Sequence, residues 1–173
     1  MVQQFRIESI ADHLDLIETI ARWHWDEWGH ADPGGSLATW TAGLQERTHR
    51  DRIPTKYVAL DGDELLGSVT LVANDMASHP ELTPWLAGTY VKPERRGQGV
   101  ASALVRHAVQ EAASMGVARL YLYTESARGL YERLGWTPLG EEEYEGTRVT
   151  IMTIMTHGGA HGRAPRARER MPR

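Results

Sequence analysis

Apolar and polar positions alternate along the first 156 residues with two different periods. The helical period is clearest at Leu14, Ile17, Ile20 and Ala21, which recur every three or four positions. On this spacing helices are predicted over 12–28, 36–47, 99–115 and 127–134. Short apolar or alternating runs bounded by glycine or proline predict strands over 5–9, 57–60, 65–73, 85–91, 120–124, 136–143 and 149–156.

The resulting order, β-α-α-β-β-β-α-β-α-β-β, indicates a mixed α/β (α+β) fold. We expect a single domain over 1–156, with one central sheet of about seven strands flanked by about four helices. Asp61-Gly62-Asp63 predicts a hairpin, and Glu145-Gly146 predicts the turn between the last two strands. A chain of 173 residues has the length of one domain.

Charge is distributed unevenly between the body and the end of the chain. The formal net charge is -4, but the segment 157–173 holds five arginines and one glutamate, which leaves the body at about -8. An acidic body favours cationic partners and disfavours nucleic acid. The basic segment 157–173, rich in glycine, proline and arginine, is predicted to be disordered, with an arm contacting RNA or an acidic membrane as the alternative.

Composition excludes several classes of site. The chain has no cysteine, which excludes disulfides, thiolate metal sites and a cysteine nucleophile. His157 and His161 lie in a glycine-rich segment and not on a helix, so we expect no metal. No apolar run approaches the ~20 residues of a membrane span, and the first residues lack a signal-peptide pattern. We therefore expect a cytoplasmic protein with no membrane partner.

The stretch from Tyr90 to Leu104 is the one that suggests chemistry. A strand ends, a glycine-bearing turn follows, and a helix begins, so unpaired N–H groups and the positive end of the helix dipole are available to an anion. Glycines 97 and 99 permit close approach, and the guanidinium groups of Arg95 and Arg96 add donors. This predicts a pyrophosphate cradle, with an ordinary glycine turn before a helix as the alternative. The loop is not a Walker loop, because Gly-Lys-Ser/Thr is absent. It does not match a dinucleotide-binding fingerprint either, because Ser102 stands at the position of the third glycine.

Three blocks of the second half resemble the GNAT superfamily of N-acetyltransferases, which use acetyl-coenzyme A. Arg96-Gly97-Gln98-Gly99-Val100-Ala101 matches its Arg/Gln-x-x-Gly-x-Gly/Ala signature. Tyr90-Val91-Lys92-Pro93 resembles its strand-ending V-x-P, and 127–136 (ARGLYERLGW) resembles its A-x-x-x-Y-x-x-x-G-F/W block. The resemblance is strong over 85–136, extends loosely over 1–156, and implies a GNAT-like single domain.

The resemblance implies how the coenzyme is held. The end of the fourth strand pairs with the pantetheine arm, and a backbone N–H near Val91 serves as oxyanion donor. The loop binds the pyrophosphate through backbone N–H groups. Thr124 stands where many members have a coenzyme-contacting Asn, which puts that contact in doubt. The implied coenzyme-binding residues are Thr89, Tyr90, Val91, Arg95, Arg96, Gly97, Gln98, Gly99, Val100, Ala101, Ser102 and Thr124.

The resemblance also implies catalytic roles. A tyrosine at the position of Tyr131 usually protonates the leaving thiolate; a core or rim tyrosine is the alternative. The base that takes the proton of the amine is Glu81 as first choice, with Asp75, Glu125 and Asp26 as alternatives, or a relay through water. The acceptor pocket is expected to include Trp25 or Trp28 with Asp26 and Glu27, since aromatic faces and carboxylates suit a protonated amine; core packing is the alternative.

Together these features predict an N-acetyltransferase that moves acetyl from acetyl-coenzyme A, its co-substrate, to a primary amine of a small cationic molecule by direct attack in a ternary complex. The alternatives are a transferase for protein or peptide amines and a catalytically silent acyl-coenzyme A sensor. Family members often form homodimers, and the sequence leaves this open together with the identity of the acceptor.

Overall fold

The computed structural model of the protein describes residues 4–157, and its elements follow the predicted order. The helices are α1 (Ile17–Trp28), α2 (Leu37–Gln45), α3 (Val100–Ser114) and α4 (Arg128–Arg133). The strands are β1 (Arg6–Ser9), β2 (Thr55–Asp61), β3 (Glu64–Val72), β4 (Trp85–Val91), β5 (Arg119–Thr124), β6 (Thr137–Tyr144) and β7 (Thr147–Met155). The predicted disorder of 157–173 falls, apart from its first residue, outside the described residues.

The start of the chain differs in detail from the predicted first helix. Residues 10–12 and 14–16 form two short 3-10 turns, and the α-helix begins only at Ile17. The second helix begins as expected after Ser36, whose hydroxyl accepts the N–H of Thr39 at 3.1 Å while the Thr39 hydroxyl accepts the N–H of Ser36 at 2.9 Å. This reciprocal capping box satisfies two N–H groups that the helix cannot pair itself.

Within residues 4–157 the seven strands form one sheet in the order β1-β2-β3-β4-β5-β7-β6. The pairs are antiparallel except β4 with β5, which run parallel. β6 is an edge strand, and Glu141 and Glu143 stand exposed on it. Such charges at a sheet edge oppose pairing with another strand.

The sheet is covered on both faces, and alternate residues of each strand reach opposite sides. Leu86 of β4 and Leu122 of β5 join Leu104 of α3 in the larger core. On the other face, Trp85 and Tyr123 pack with residues of the β3–β4 loop, 73–84, in a smaller aromatic cluster. α1 and α2 cover β2 and β3 on that same face through a third cluster around Ile20. No helix among the described residues is long and apolar enough to cross a membrane.

Candidate functional site

The candidate site begins at the gap between β4 and β5. In the described part of the chain these strands are paired at one position, Trp85 with Tyr121, and they diverge beyond it. On the opposite side of β4, the N–H of Lys92 donates to the carbonyl of Leu66 at 2.9 Å. Bonded and non-bonded pairs alternate along an antiparallel ladder, so the N–H and carbonyl of Val91 point away from β3 and into the gap.

A bulge in β4 lies just before this point. The register between β3 and β4 shifts between Ser68 and Thr70, so that Gly88 and Thr89 together face a single residue of β3. Gly88 has φ 56°, in the left-handed region that only glycine enters at little cost. A bulge bends its strand and changes the direction of the neighbouring side chains, and such irregularities are frequent beside active sites.

Tyr131 of α4 reaches across the gap to β4. Its hydroxyl donates to the Thr89 Oγ1 at 3.4 Å, and its ring meets Trp136 edge-on with centroids 6.0 Å apart. Only 7% of the residue is exposed. Burial raises the pKa of Tyr131, and the hydrogen bond to Thr89 opposes this in part. The structure thus brings together two residues that the sequence analysis assigned separately, and it keeps the phenol protonated near neutral pH.

The glycine loop opens α3 with its backbone amides free of a side-chain cap. Gly99, the residue before the helix, has φ 82°, and no side chain caps the first turn within the described residues. Gly97 has φ 73°, and a Cβ built there would meet nothing within 4 Å, so its surroundings are open to a ligand. Unpaired N–H groups at a helix start with free access from outside fit a phosphate group.

The two arginines of the loop point in different directions. The Nε of Arg96 donates to the carbonyl of Val91 at 2.8 Å, and its guanidinium lies over the Tyr90 ring, 5.5 Å from the centroid. The guanidinium of Arg95 instead binds the β2–β3 hairpin, through Asp61 and, at 3.2 Å, through Glu64. Two carboxylates thus hold the Arg95 side chain on the hairpin, and the donor role of Arg95 in the cradle stays a prediction.

Thr124 and Gln98 use their side chains to shape turns. The Oγ1 of Thr124 accepts the N–H of Ala127 at 3.0 Å and so orders the approach to α4. The Nε2 of Gln98 donates to the carbonyl of Glu94 at 3.2 Å within the glycine loop. That either residue contacts the coenzyme stays a prediction, as it does for Val100, Ala101 and Ser102 in the first turn of α3.

A buried polar cluster lies under the bulge, on the face covered by α1. The Nε2 of His24 in α1 is 3.4 Å from the Oγ of Ser68 in β3, which is 3.4 Å from the Nζ of Lys56 in β2. Their exposures are 4%, 0% and 1%. Burial lowers the pKa of Lys56 well below its usual value, and Arg47 lowers it further. Burial, then the charges of Lys56 and Arg47, likewise lower the pKa of His24.

The aromatic residues of α1 divide between two neighbours. Trp28 contacts the Tyr90 ring edge-on at 6.0 Å, and Trp23 contacts it at 5.3 Å. Trp25 instead packs edge-on against Trp40 of α2 at 5.9 Å, and Asp26 is exposed. The expectation that Trp25 or Trp28 lines the acceptor pocket with Asp26 stays a prediction; of these three residues Trp28 packs against Tyr90 of β4, with Trp23 beside it.

Glu81, the first choice for a base, lies in a surface cluster. Its carboxylate contacts the Nδ1 of His79 at 3.0 Å, and the Nε2 of His79 contacts Glu142 of β6 at 2.6 Å. The Glu81 side chain is 63% exposed, and its contact with His79 lowers its pKa. Glu81 is thus a solvated carboxylate linked through His79 to β6, and its role as the base stays a prediction.

Among the alternatives, Asp75 has the more unusual surroundings. It lies in the β3–β4 loop over the aromatic cluster, and burial raises its pKa to about 6. Its charge in turn raises the pKa of Tyr123, after the larger effect of burial. Glu125, by contrast, is exposed at the end of β5. Asp75 is therefore a carboxylate of raised pKa in the β3–β4 loop, close enough to Tyr123 to affect its pKa.

Sequence reasoning missed His24, Ser68 and Lys56 altogether. A signal was present: Lys56 and Ser68 are polar residues inside the otherwise apolar strands TKYVALD and ELLGSVTLV. A polar residue at a buried strand position needs a partner. The partner, His24, is fixed only by the packing of α1 on the sheet. Groups of three or more histidine, aspartate or glutamate side chains able to hold a metal ion are absent from residues 4–157.

Comparison with known proteins identifies relatives of this fold and sequence. A family model described as the acetyltransferase (GNAT) family matches residues 17–136. Human N-acetyltransferase 8B is 35% identical over 89 residues, which are 49% of this chain and 39% of that protein. N-alpha-acetyltransferase 30 of Schizosaccharomyces pombe is 32% identical over 84 residues, 46% of this chain and 55% of that protein. The matched region therefore spans about half or less of these curated relatives.

A solved structure shows the same fold over nearly the whole described chain. The structure of an aminoglycoside 6'-N-acetyltransferase complexed with coenzyme A superposes with a TM-score of 0.71, covering 87% of this chain and 97% of that chain. The sequence identity is 17%, so the likeness is one of fold. The predicted seven-strand mixed sheet with four helices is confirmed.

Proposed function

The chain belongs to the GNAT family of acetyltransferases, and we propose from this premise that it transfers acetyl from acetyl-coenzyme A to a primary amine of a small cationic molecule. The observation that carries the proposal is the pairing of Tyr131 with Thr89 across the gap, beside the inward-facing N–H of Val91. In this proposal the acid and the main-chain donor act at the gap between β4 and β5.

We assign the binding of acetyl-coenzyme A to main-chain groups. The first turn of α3 and the glycine loop offer N–H groups to the pyrophosphate, and Val91 offers its N–H in the gap. Acetyl-coenzyme A is the activated acyl donor. Arg96 supports this arrangement by binding the carbonyl of Val91 and thereby fixing the end of β4.

The reaction joins nitrogen to carbon and releases sulfur. The neutral amine attacks the thioester carbonyl, the C–N bond forms, and the developing oxyanion is stabilised by a main-chain N–H at the end of β4. When the C–S bond breaks, the sulfur takes the proton of the Tyr131 hydroxyl, and the nitrogen returns a proton to the phenolate. Because the pKa of Tyr131 is raised, its hydroxyl stays protonated until the leaving sulfur accepts the proton.

A cationic acceptor is supported by one carboxylate of the β3–β4 loop and by the aromatic residues beside β4. Asp75 has a pKa of about 6 and is therefore mostly ionised at neutral pH. Trp23, Trp28 and Tyr90 add aromatic faces next to β4. Aromatic faces together with a carboxylate attract an ammonium group. The similar solved structure is that of an acetyltransferase for aminoglycosides, which are polyamines.

The test is thiol release from acetyl-coenzyme A across a panel of amines. The panel includes aminoglycosides, polyamines, amino acids and peptides with free amino termini. We expect release that depends on a small cationic amine. Release only with peptides would move the assignment to protein or peptide amines, and binding of coenzyme without release with any amine would favour a silent sensor.

Tyr131→Phe supplies the matched catalytic comparison. The variant removes only a hydroxyl, so kcat should fall about 10²- to 10⁴-fold while the calorimetric Kd for coenzyme A stays unchanged. Tyr57→Phe is the control, because Tyr57 is also a buried tyrosine but packs against His107 of α3, with ring centroids 4.8 Å apart. An undiminished kcat in Tyr131→Phe would remove this residue from the mechanism.

A further inference from the structure

The polar cluster under the bulge crosses three elements and holds no carboxylate. Lys56, Ser68 and His24 come from β2, β3 and α1, and all three are buried. Among residues 4–157, the hydrogen bond of the Lys56 amine is to Ser68, and no acidic side chain pairs with it. A buried ammonium without a counter-ion costs several kcal/mol, and the usual response is loss of the proton. Burial therefore favours the neutral amine of Lys56, in agreement with its lowered pKa.

The Ser68 hydroxyl joins Lys56 to His24. The Lys56 Nζ donates to the Ser68 Oγ at 3.4 Å, and the same oxygen can accept the N–H at Nε2 of His24, also at 3.4 Å. The imidazole is thereby held as the tautomer with a lone pair on Nδ1. In the described part of the chain no protein group bonds to that Nδ1. His24 is thus a buried ring whose Nε2 faces Ser68 and whose Nδ1 is not hydrogen-bonded to a protein group among residues 4–157.

The His24 ring lies against the bulge itself. Its Cε1 is 3.5 Å from the position that a Cβ on Gly88 would occupy. Gly88 directly precedes Thr89, which Tyr131 contacts from α4. The candidate acid and the available nitrogen therefore approach the same short segment of β4 from two different elements. A ternary complex requires this division, with the thiolate protonated from one side and the amine deprotonated from the other.

We infer that His24 is the catalytic residue that takes the proton of the acceptor ammonium, with Ser68 and Lys56 as positioning residues behind it. The inference rests on the proposed function. One ammonium proton passes to Nδ1 of His24, the neutral nitrogen attacks, and the proton later leaves His24 for solvent. The later proton transfers, from Tyr131 to the sulfur and from the nitrogen to Tyr131, cancel out. Each acetyl transfer from an ammonium form of the acceptor therefore releases one proton to solvent.

The surroundings of His24 set the pH dependence to be measured. The ring faces Trp28 of its own helix at 4.9 Å and Tyr90 of β4 at 6.1 Å. Its charged neighbour is Arg47 after α2, which disfavours the imidazolium; Lys56 from β2 is titratable and adds to this effect only while it is protonated. Activity should therefore rise with pH along a single-proton acid limb, positioned by His24, and then reach a plateau.

The experiment is the pH profile of kcat/KM with the best amine of the panel. His24→Gln should lower kcat about 10²- to 10⁴-fold and abolish the acid limb, while the calorimetric Kd for coenzyme A is unchanged. Arg47→Met should keep the limb but move it to higher pH, because a charge that disfavours the imidazolium is removed. His107→Gln is the control: its half-buried ring also has a lowered pKa but faces Tyr57, so the wild-type profile should persist.

Two results would overturn the inference while leaving the proposed function intact. One is an active wild type whose acid limb and kcat survive in folded His24→Gln. The other, independent of that variant's folding, is ¹⁵N NMR of the wild type showing the proton of the neutral His24 ring on Nδ1. A wild type that releases no thiol with any amine overturns the proposed function itself, and with it the role of His24.

Discussion

Lys56→Met tests the buried lysine through stability alone, without reference to activity. The folded state disfavours the ammonium of Lys56, because the amine is 1% exposed and no carboxylate among the described residues pairs with it. The unfolded chain restores an ordinary lysine with a pKa of about 10.4. Between the lowered folded pKa and that value, the unfolded state binds more protons, so the free energy of unfolding rises with pH.

The magnitude follows from one proton. Each pH unit between the folded and the unfolded pKa of Lys56 is worth about 1.36 kcal/mol, so the wild type should gain stability relative to Lys56→Met as the pH rises from 8.0 to 9.5. At pH 8.0 the variant should be the more stable protein, since methionine fills similar space without the buried amine. The advantage should shrink as the pH approaches the unfolded pKa.

Urea unfolding at both pH values measures the difference. The wild type and the variant share every other titrating group, so their subtraction isolates Lys56. Lys92→Met is the control: the chain has two lysines, and the Lys92 ammonium lies at the surface in an ion pair with Glu64. A difference between wild type and Lys56→Met that stays constant across this pH range would show that Lys56 keeps its proton, and would refute the reasoning on the buried cluster.

Three further predictions concern other features of the fold. Gly88→Ala should lower the free energy of unfolding by about 1–2 kcal/mol, because φ is 56° at Gly88 and alanine is strained there. Gly43→Ala, at a position in α2 with open space for a Cβ, should instead raise the free energy of unfolding. Equal urea midpoints for the two variants would contradict this difference. The pKa of His79 is raised, first by its hydrogen bond to Glu142 and then by that to Glu81, so the contact between His79 and Glu142 stabilises the fold fully below about pH 6.5 and stops doing so as the pH rises through the raised pKa. The difference in Tm between wild type and Glu142→Gln should therefore shrink with rising pH, and a difference that grows would refute this. Arg95→Met should leave the calorimetric Kd for coenzyme A unchanged, since its guanidinium binds the β2–β3 hairpin; a large loss would return Arg95 to the cradle.

The sequence was sufficient for the order of elements and for the glycine loop, because both depend on local patterns. The helical period of α3 and the left-handed positions at Gly97 and Gly99 are encoded within a few residues. Tyr131 could be assigned from its spacing relative to Gly135, through the resemblance to the family. Its contact with Thr89, across 42 residues of chain, required the sheet.

The parts that the sequence could not predict depend on tertiary neighbours. Trp25 and Trp28 lie three residues apart on α1, yet one packs on α2 and the other on β4, and no helical period distinguishes these partners. Glu81 lies in a long loop whose path is set by contacts with β6. His24 resembles any polar residue of an amphipathic helix until α1 is laid over Ser68.

The single pairing of Trp85 with Tyr121 also divides the sheet into two ladders. Strands β1 to β4 come from residues 6–91, and β5 to β7 come from residues 119–155, so each ladder is continuous in sequence. Main-chain hydrogen bonds give cohesion inside each ladder, whereas side chains such as Leu104 and Leu122 hold one to the other. We therefore expect the two ladders to unfold as separate cooperative units. Native-state amide exchange should then show two levels of protection, one for β1 to β4 and one for β5 to β7.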